Sequence, residues 1–280
     1  MAMMPPEKLV IFDYSGTLSL EAPRFGRSEN LVRALEESGL ASLGVATPEI
    51  FWGDIVNPTW IEGSTTAIGY ARAMAERIAA LGIAPDIHRS QIEAAASRFV
   101  AAYLASSRID PRWRPSLSRL SEHPDAVTVI ATDHYAEATG KITDSLASWG
   151  IPARKCGKGA KSPFSPPSRF FVANSADLGV WKADRRFWEI LKSQLPFASV
   201  RRILLIDDFG INEESGDGYG GRAKVLDRQE KTIANLEESF QAVVEVATFY
   251  LPGVPRESEE AGAGLIAEAA GRIDEFLERR

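Results

Sequence analysis

The 280-residue sequence holds one cysteine, Cys156, which excludes an internal disulfide and suits a reducing compartment. It has no basic excess. Its 32 Lys and Arg stand against 38 Asp and Glu, and a net charge of −6 argues against a general nucleic-acid binder. No apolar run approaches the roughly 20 residues a membrane span needs. Residues 1–8 lack a signal-peptide pattern, and Pro5-Pro6 would break an apolar helix there. A soluble, cytoplasmic protein without nucleic-acid or membrane partners is the expectation. There is no lysine between Lys8 and Lys141, and nothing between Ser19 and Pro124 alternates as a strand does.

What is present is a series of short apolar runs, each followed by a chemically useful side chain. Leu9-Val10-Ile11-Phe12 is too short for a helix and reads as a strand buried on both faces. It ends at Asp13, followed by Tyr14-Ser15-Gly16-Thr17. The carboxyl ends of such strands are where open α/β sheets place ligands. Gly16 allows a sharp turn that would aim backbone N–H groups and Thr17 at whatever Asp13 attacks. A second β-branched run, residues 126–131, closes at Thr132, and a third strand covers 170–173. Lys182 then precedes Asp184 and Phe187 at a helix start, a place favourable to anions. Finally Ile203-Leu204-Leu205-Ile206 runs into Asp207-Asp208. Two adjacent carboxylates repel, and a divalent cation that prefers oxygen ligands, as Mg²⁺ does, removes that cost.

The order and placing of these motifs resemble the haloacid dehalogenase (HAD) superfamily. The resemblance implies an α/β fold, a Rossmann-like three-layer core with a parallel sheet and an inserted all-helical cap. It implies a discontinuous core over 1–19 and 123–255 and a cap over 20–122, while the one-sided spacing of Leu265, Ile266, Ala269, Ile273, Phe276 and Leu277 reads as a terminal helix at 256–280, packed on the core or, alternatively, at a dimer contact. It also implies roles: Asp13 as nucleophile, with Gly16, Thr17, Thr132 and Lys182 holding a phosphoryl group. Mg²⁺ would be held by Asp13, the Ser15 backbone carbonyl, Asp207 and Asp208, with Asn212 in support. The expected reaction is Mg²⁺-dependent hydrolysis of a small phosphorylated metabolite by a monomer or homodimer.

One residue departs from the pattern. Ser15 stands where the family's phosphatases carry a second aspartate that protonates the leaving oxygen. General acid–base help is worth about 10²–10⁴-fold, so three readings stay open. The leaving group needs no proton; another residue, such as His134, supplies it; or the protein is a catalytically weak module that binds a phosphorylated ligand or a protein. Family phosphonatases share a small residue here but need a cap lysine, which this chain lacks. Metal-independent haloacid dehalogenation, whose halide leaves unprotonated, is a further alternative.

Other features are less directed. Arg24 and Arg27 would suit an anionic substrate. The basic, Gly/Ser/Pro-rich stretch 153–169, with Lys158 and Lys161, reads as a solvated loop or an anion-steering one. The glycine-rich run 216–221 reads as a turn, 223–226 as a strand, and 240–251 as either strand or helix.

Overall fold

The computed structural model describes residues 6–83, 85–159, 168–195, 200–214, 216–251 and 257–279. Six strands form one all-parallel sheet: β1 (Lys8–Phe12), β2 (Ala126–Thr132), β3 (Arg154–Cys156), β4 (Phe170–Asn174), β5 (Arg202–Asp207) and β6 (Val243–Thr248), in the spatial order β3-β4-β2-β1-β5-β6. The two-residue period of β1 splits its apolar side chains between two layers. Val10 and Phe12 pack with Trp113, Leu117, Ile273 and Phe276, whereas Leu9 and Ile11 pack with Phe187, Trp188, Leu191 and Leu236. Helices thus cover both faces, which is why the central strands read as continuous apolar runs.

Three sequence expectations change. The stretch 223–226 lies in the helix Arg222–Phe240, because Val225, Arg228, Thr232 and Leu236 are buried at helical spacing while Leu226 is exposed. The ambiguous 240–251 contains β6, paired to β5. Within the expected loop 153–169, residues 154–156 form β3, while Lys161 lies outside the described residues.

Between β1 and β2 the chain is helical. Helices Ser28–Ser38, Asn57–Thr65, Tyr70–Leu81 and Arg89–Ser106 surround a separate apolar cluster that includes Leu31, Phe51, Met74, Ile78 and Phe99. Packing draws its limit earlier than the expected 122. Ile109, Trp113, Leu117 and Leu120 join the sheet-side cluster, since the helix Arg114–Glu122 leads into β2 and lays Leu117 and Leu120 on one face against it. The C-terminal helix Glu257–Glu278 buries Ile266, Ala269, Ile273 and Phe276 on the same layer. Among the described residues, no helix is long and apolar enough to cross a membrane.

Candidate active site

Parallel register sets Phe12 beside Ile130 and Ile206, so Asp13, Thr132 and Asp207 emerge at one sheet edge. The Asp13 N–H donates to the Ile206 carbonyl at 2.9 Å, fixing the end of β1 on β5. Lys182 arrives from the turn before the helix Arg185–Gln194. Its Nζ donates to Asp13 Oδ1 at 2.6 Å and to Asp207 Oδ2 at 2.8 Å. Asp133 Oδ1 accepts the Lys182 N–H at 2.9 Å, and the Trp188 indole N–H donates to its carbonyl at 2.7 Å, so the lysine is held by its backbone as well. Asp184 caps that helix by accepting the Arg186 N–H, and Phe187 is buried in the core, so of the three only Lys182 reaches the carboxylates.

Asp13, Asp207 and Asp208 are buried and offer oxygens that lie within 4.8 Å of one another. Asp208 accepts N–H bonds from Gly210 and Asn212, both at 3.1 Å. Gly16, at φ +74, passes so close that a Cβ would sit 2.4 Å from Asp208 Oδ2, so this turn requires glycine. Burial pushes the Asp13 carboxyl up to about 7, against the pull of Lys182 and with the push of Asp207. Burial, then Asp13 and Asp207, hold Asp208 well above the ordinary carboxylate range. Burial opposes the charge on Lys182, yet Asp13 and Asp207 keep its ammonium well above 10.5. Three carboxylates against one ammonium is a negative excess that a hard, oxygen-seeking dication fits.

Ser15 and Thr132 line a cavity of about 70 Å³ beside these carboxylates. Gly16 and Thr17 do not line it. Thr17 is fully buried and its Oγ1 accepts the Asp208 N–H at 3.2 Å, so it holds the end of β5. The Asn212 amide is likewise engaged with backbone, donating to the Gly16 and Phe249 carbonyls and accepting from the Leu251 N–H, which leaves it a loop tie. Arg24 pairs with Glu21, and neither Arg24 nor Arg27 borders the cavity. His134, the alternative proton donor, is poorly placed for that role. It is buried, hydrogen-bonded through Nε2 to the Tyr103 hydroxyl at 2.8 Å, and burial lowers it to about 4, so at neutral pH it is a neutral imidazole and not a general acid.

The structure adds acids that sequence reasoning passed over. Ser15 Oγ donates to Glu213 Oε1 at 2.7 Å, and burial raises that carboxyl to about 8. Asp217, raised by burial to about 6, also borders the cavity, as does Tyr219, whose hydroxyl donates to Asp133 Oδ2 at 3.0 Å. The available signal was the acid and aromatic content of residues 213–219, which a turn alone does not need.

The helical unit supplies the opposite wall, including Phe51, Trp52, Trp60 and Tyr103. It is tied across the cavity at several points. Trp181 Nε1 donates to Ser64 Oγ at 2.8 Å, and Asn57 bonds the Gly216 carbonyl and the Gly218 N–H. The Glu137 carboxylate accepts the Tyr70 N–H at 2.8 and 3.0 Å.

No family model and no curated protein matches the chain. Among solved structures it is similar to a 2-haloacid dehalogenase from Pseudomonas syringae pv. Tomato DC3000, at 19% identity over 76% of this chain and 83% of that one, with a TM-score of 0.46. It is also similar to the HAD-hydrolase YfnB from Bacillus subtilis, solved with magnesium, at 13% identity over 90% of this chain and 91% of that one, again with a TM-score of 0.46. On its own geometry, the chain is a parallel α/β sheet clad with helices on both faces, with Asp13, Thr132, Lys182 and Asp207-Asp208 gathered at one edge, the Rossmann-like architecture that the HAD resemblance implies.

Proposed function

We propose that this protein is a Mg²⁺-dependent hydrolase of a small phosphorylated metabolite, with Asp13 as its nucleophile. The observation that carries the reading is the buried triad of Asp13, Asp207 and Asp208 with the Lys182 ammonium 2.6 Å from Asp13. Asp13, Asp208 and the Ser15 carbonyl would hold the metal, while Asp207 has one oxygen committed to Lys182 and the other to the Phe209 N–H. When bound, the dication neutralises charge on the phosphoryl oxygens and lowers the Asp13 pKa towards its ionised, nucleophilic form.

Asp13 attacks phosphorus as the bond to the leaving oxygen breaks, giving an aspartyl-phosphate. Lys182 and Thr132 hold the phosphoryl oxygens. The Ser15 hydroxyl gives its proton to the leaving oxygen and takes one from the protonated Glu213 carboxyl, turning from the bond it donates to Glu213 Oε1 at 2.7 Å in the structure. Water then attacks the aspartyl-phosphate, passes a proton back along the same pair and releases phosphate. A carboxyl one hydrogen bond beyond residue 15 thus takes the place of a carboxyl at residue 15. The helical unit, as a cap, excludes bulk water during attack.

A haloacid substrate is less well served, because Lys182 is already paired to Asp13 and Asp207 and, among the described residues lining the cavity, no further lysine or arginine is there for its carboxylate. The test is hydrolysis of an aryl phosphate and acetyl phosphate with Mg²⁺, beside Asp13→Asn. Turnover that Asp13→Asn and chelation both abolish supports the reading. Inert wild type with both substrates, under conditions where Mg²⁺ binds, points to a binding module.

A further inference from the structure

The cavity walls are unusual for a site handling a dianion. They include the aromatic rings of Phe51, Trp52, Trp60, Tyr103, Tyr135 and Tyr219 and the carboxylates of Asp13, Asp133, Asp208, Glu213 and Asp217, and among the described residues lining it there is no lysine or arginine. We propose that the non-phosphoryl part of the ligand is a compact alkylammonium group, held against these rings and facing Asp217. This rests on the phosphohydrolase reading for the other end of the ligand.

Charge complementarity is the first support. Lys182 and a dication match Asp13, Asp207 and Asp208 charge for charge, three against three. That leaves Asp133 and Asp217 as further acids around an incoming phosphoryl dianion, since burial keeps the proton on Glu213, while Arg228, outside the cavity, offsets one of the two. An anionic body such as a carboxylated sugar would add to the excess, whereas an organic cation relieves it. Aromatic faces beside carboxylates are the surroundings that attract an ammonium.

The second support is preorganisation and size. The Trp52 indole is wedged between two glycines, with a Cβ at Gly26 falling 3.0 Å from its Cζ2 and one at Gly216 2.8 Å from its Cδ1. The Trp60 ring meets Tyr135 edge-on at 5.3 Å and Tyr219 at 5.5 Å. Arg228 already stacks on Tyr219, with its guanidinium carbon 3.3 Å from the ring centre, so this wall accommodates a cation on its outer side. The cavity of about 70 Å³, room for roughly five waters at 10–15 Å³ each, takes the phosphoryl group as well, so the rest of the ligand is compact.

The test uses the full chain with Mg²⁺ and inorganic phosphate. Calorimetric titration compares choline with its neutral isostere 3,3-dimethylbutan-1-ol, on wild type and Asp217→Asn. Choline should bind about tenfold tighter than the isostere, and Asp217→Asn should remove most of that preference while leaving the isostere unchanged. Equal or tighter binding of the neutral alcohol, or a preference untouched by Asp217→Asn with circular dichroism unchanged, overturns the proposal. A parallel arm measures kcat/KM for phosphocholine and 3,3-dimethylbutyl phosphate, with acetyl phosphate as the generic substrate. Acetyl phosphate turnover without an ammonium preference defeats this inference and spares the hydrolase. Choline binding with no turnover of any ester does the reverse.

Discussion

Lys182 Nζ lies 2.6 Å from Asp13 Oδ1, and both side chains are almost wholly withdrawn from solvent. The lysine is therefore the counter-charge without which two buried carboxylates lose their partner, and in the proposed reaction it is also the phosphoryl anchor. Removing one member of a buried ion pair costs about 3–5 kcal/mol. Lys182→Met should lose about that much in urea unfolding without metal and at least about 10²–10³-fold in kcat. Lys182→Arg should restore little, because a planar guanidinium cannot occupy the point between Asp13 and Asp207.

Magnesium should stabilise the folded chain. A ligand at 100 times its Kd contributes about 2.7 kcal/mol, which a thermal melt with and without chelator would read as a rise of several degrees. Asp208→Asn should abolish that rise. The same variant should melt higher than wild type when metal-free, since it removes one of three mutually repelling carboxylates.

Restoring the second aspartate should not by itself raise activity. Ser15 Oγ is 2.7 Å from Glu213 Oε1, so Ser15→Asp drives a carboxylate against an existing buried one. The expected result is equal or lower kcat with acetyl phosphate and an alkyl phosphate. Pairing it with Glu213→Gln should recover or exceed wild type. Glu213→Gln alone should depress the alkyl ester by about 10²–10⁴-fold and acetyl phosphate much less, because an acyl phosphate's leaving group needs little protonation.

His134 should make stability depend on pH in the acid range. The unfolded imidazole binds a proton near 6.5, whereas burial holds the folded one to about 4. The stabilisation is complete above 6.5 and is lost as pH falls towards 4. Its neighbours Tyr14, Tyr103 and Tyr135 stay uncharged through this window. Relative to His134→Gln, wild type should lose roughly 3 kcal/mol between pH 7 and 4. Urea midpoints of both proteins at the two pH values give the difference directly, with the opposing carboxylates cancelling.

How far the sequence went can be judged from particular residues. Asp13 and Asp207-Asp208 were legible because a fully buried parallel strand cannot hide its end: the apolar run stops and the acid marks the edge. Lys182 was legible from its place before a helix. The bond from the Asp208 N–H to the Thr17 hydroxyl was not legible, because sequence proximity to Asp13 does not say which way a buried hydroxyl turns. Glu213 and Asp217 were missed because residues brought to one cavity by a loop across the sheet edge share no period with it. The strand expected at 223–226 failed for a local reason, since four apolar-rich residues are too few to separate a two-residue from a 3.6-residue repeat.

The bond from Tyr70 N–H to Glu137 reaches beyond holding two parts together. Glu137 serves as the N-terminal cap of the helix Tyr70–Leu81 from outside its own chain segment, and Gly69 before it, at φ +81, leaves only 2.8 Å between a would-be Cβ and Glu137 Oε1. Were the helical unit to swing away, this helix would lose its cap, so opening would be coupled to fraying of its first turn. If the unit opens in this way, deuterium exchange of the Tyr70 amide should report it, and a ligand that holds the cavity shut should slow that exchange.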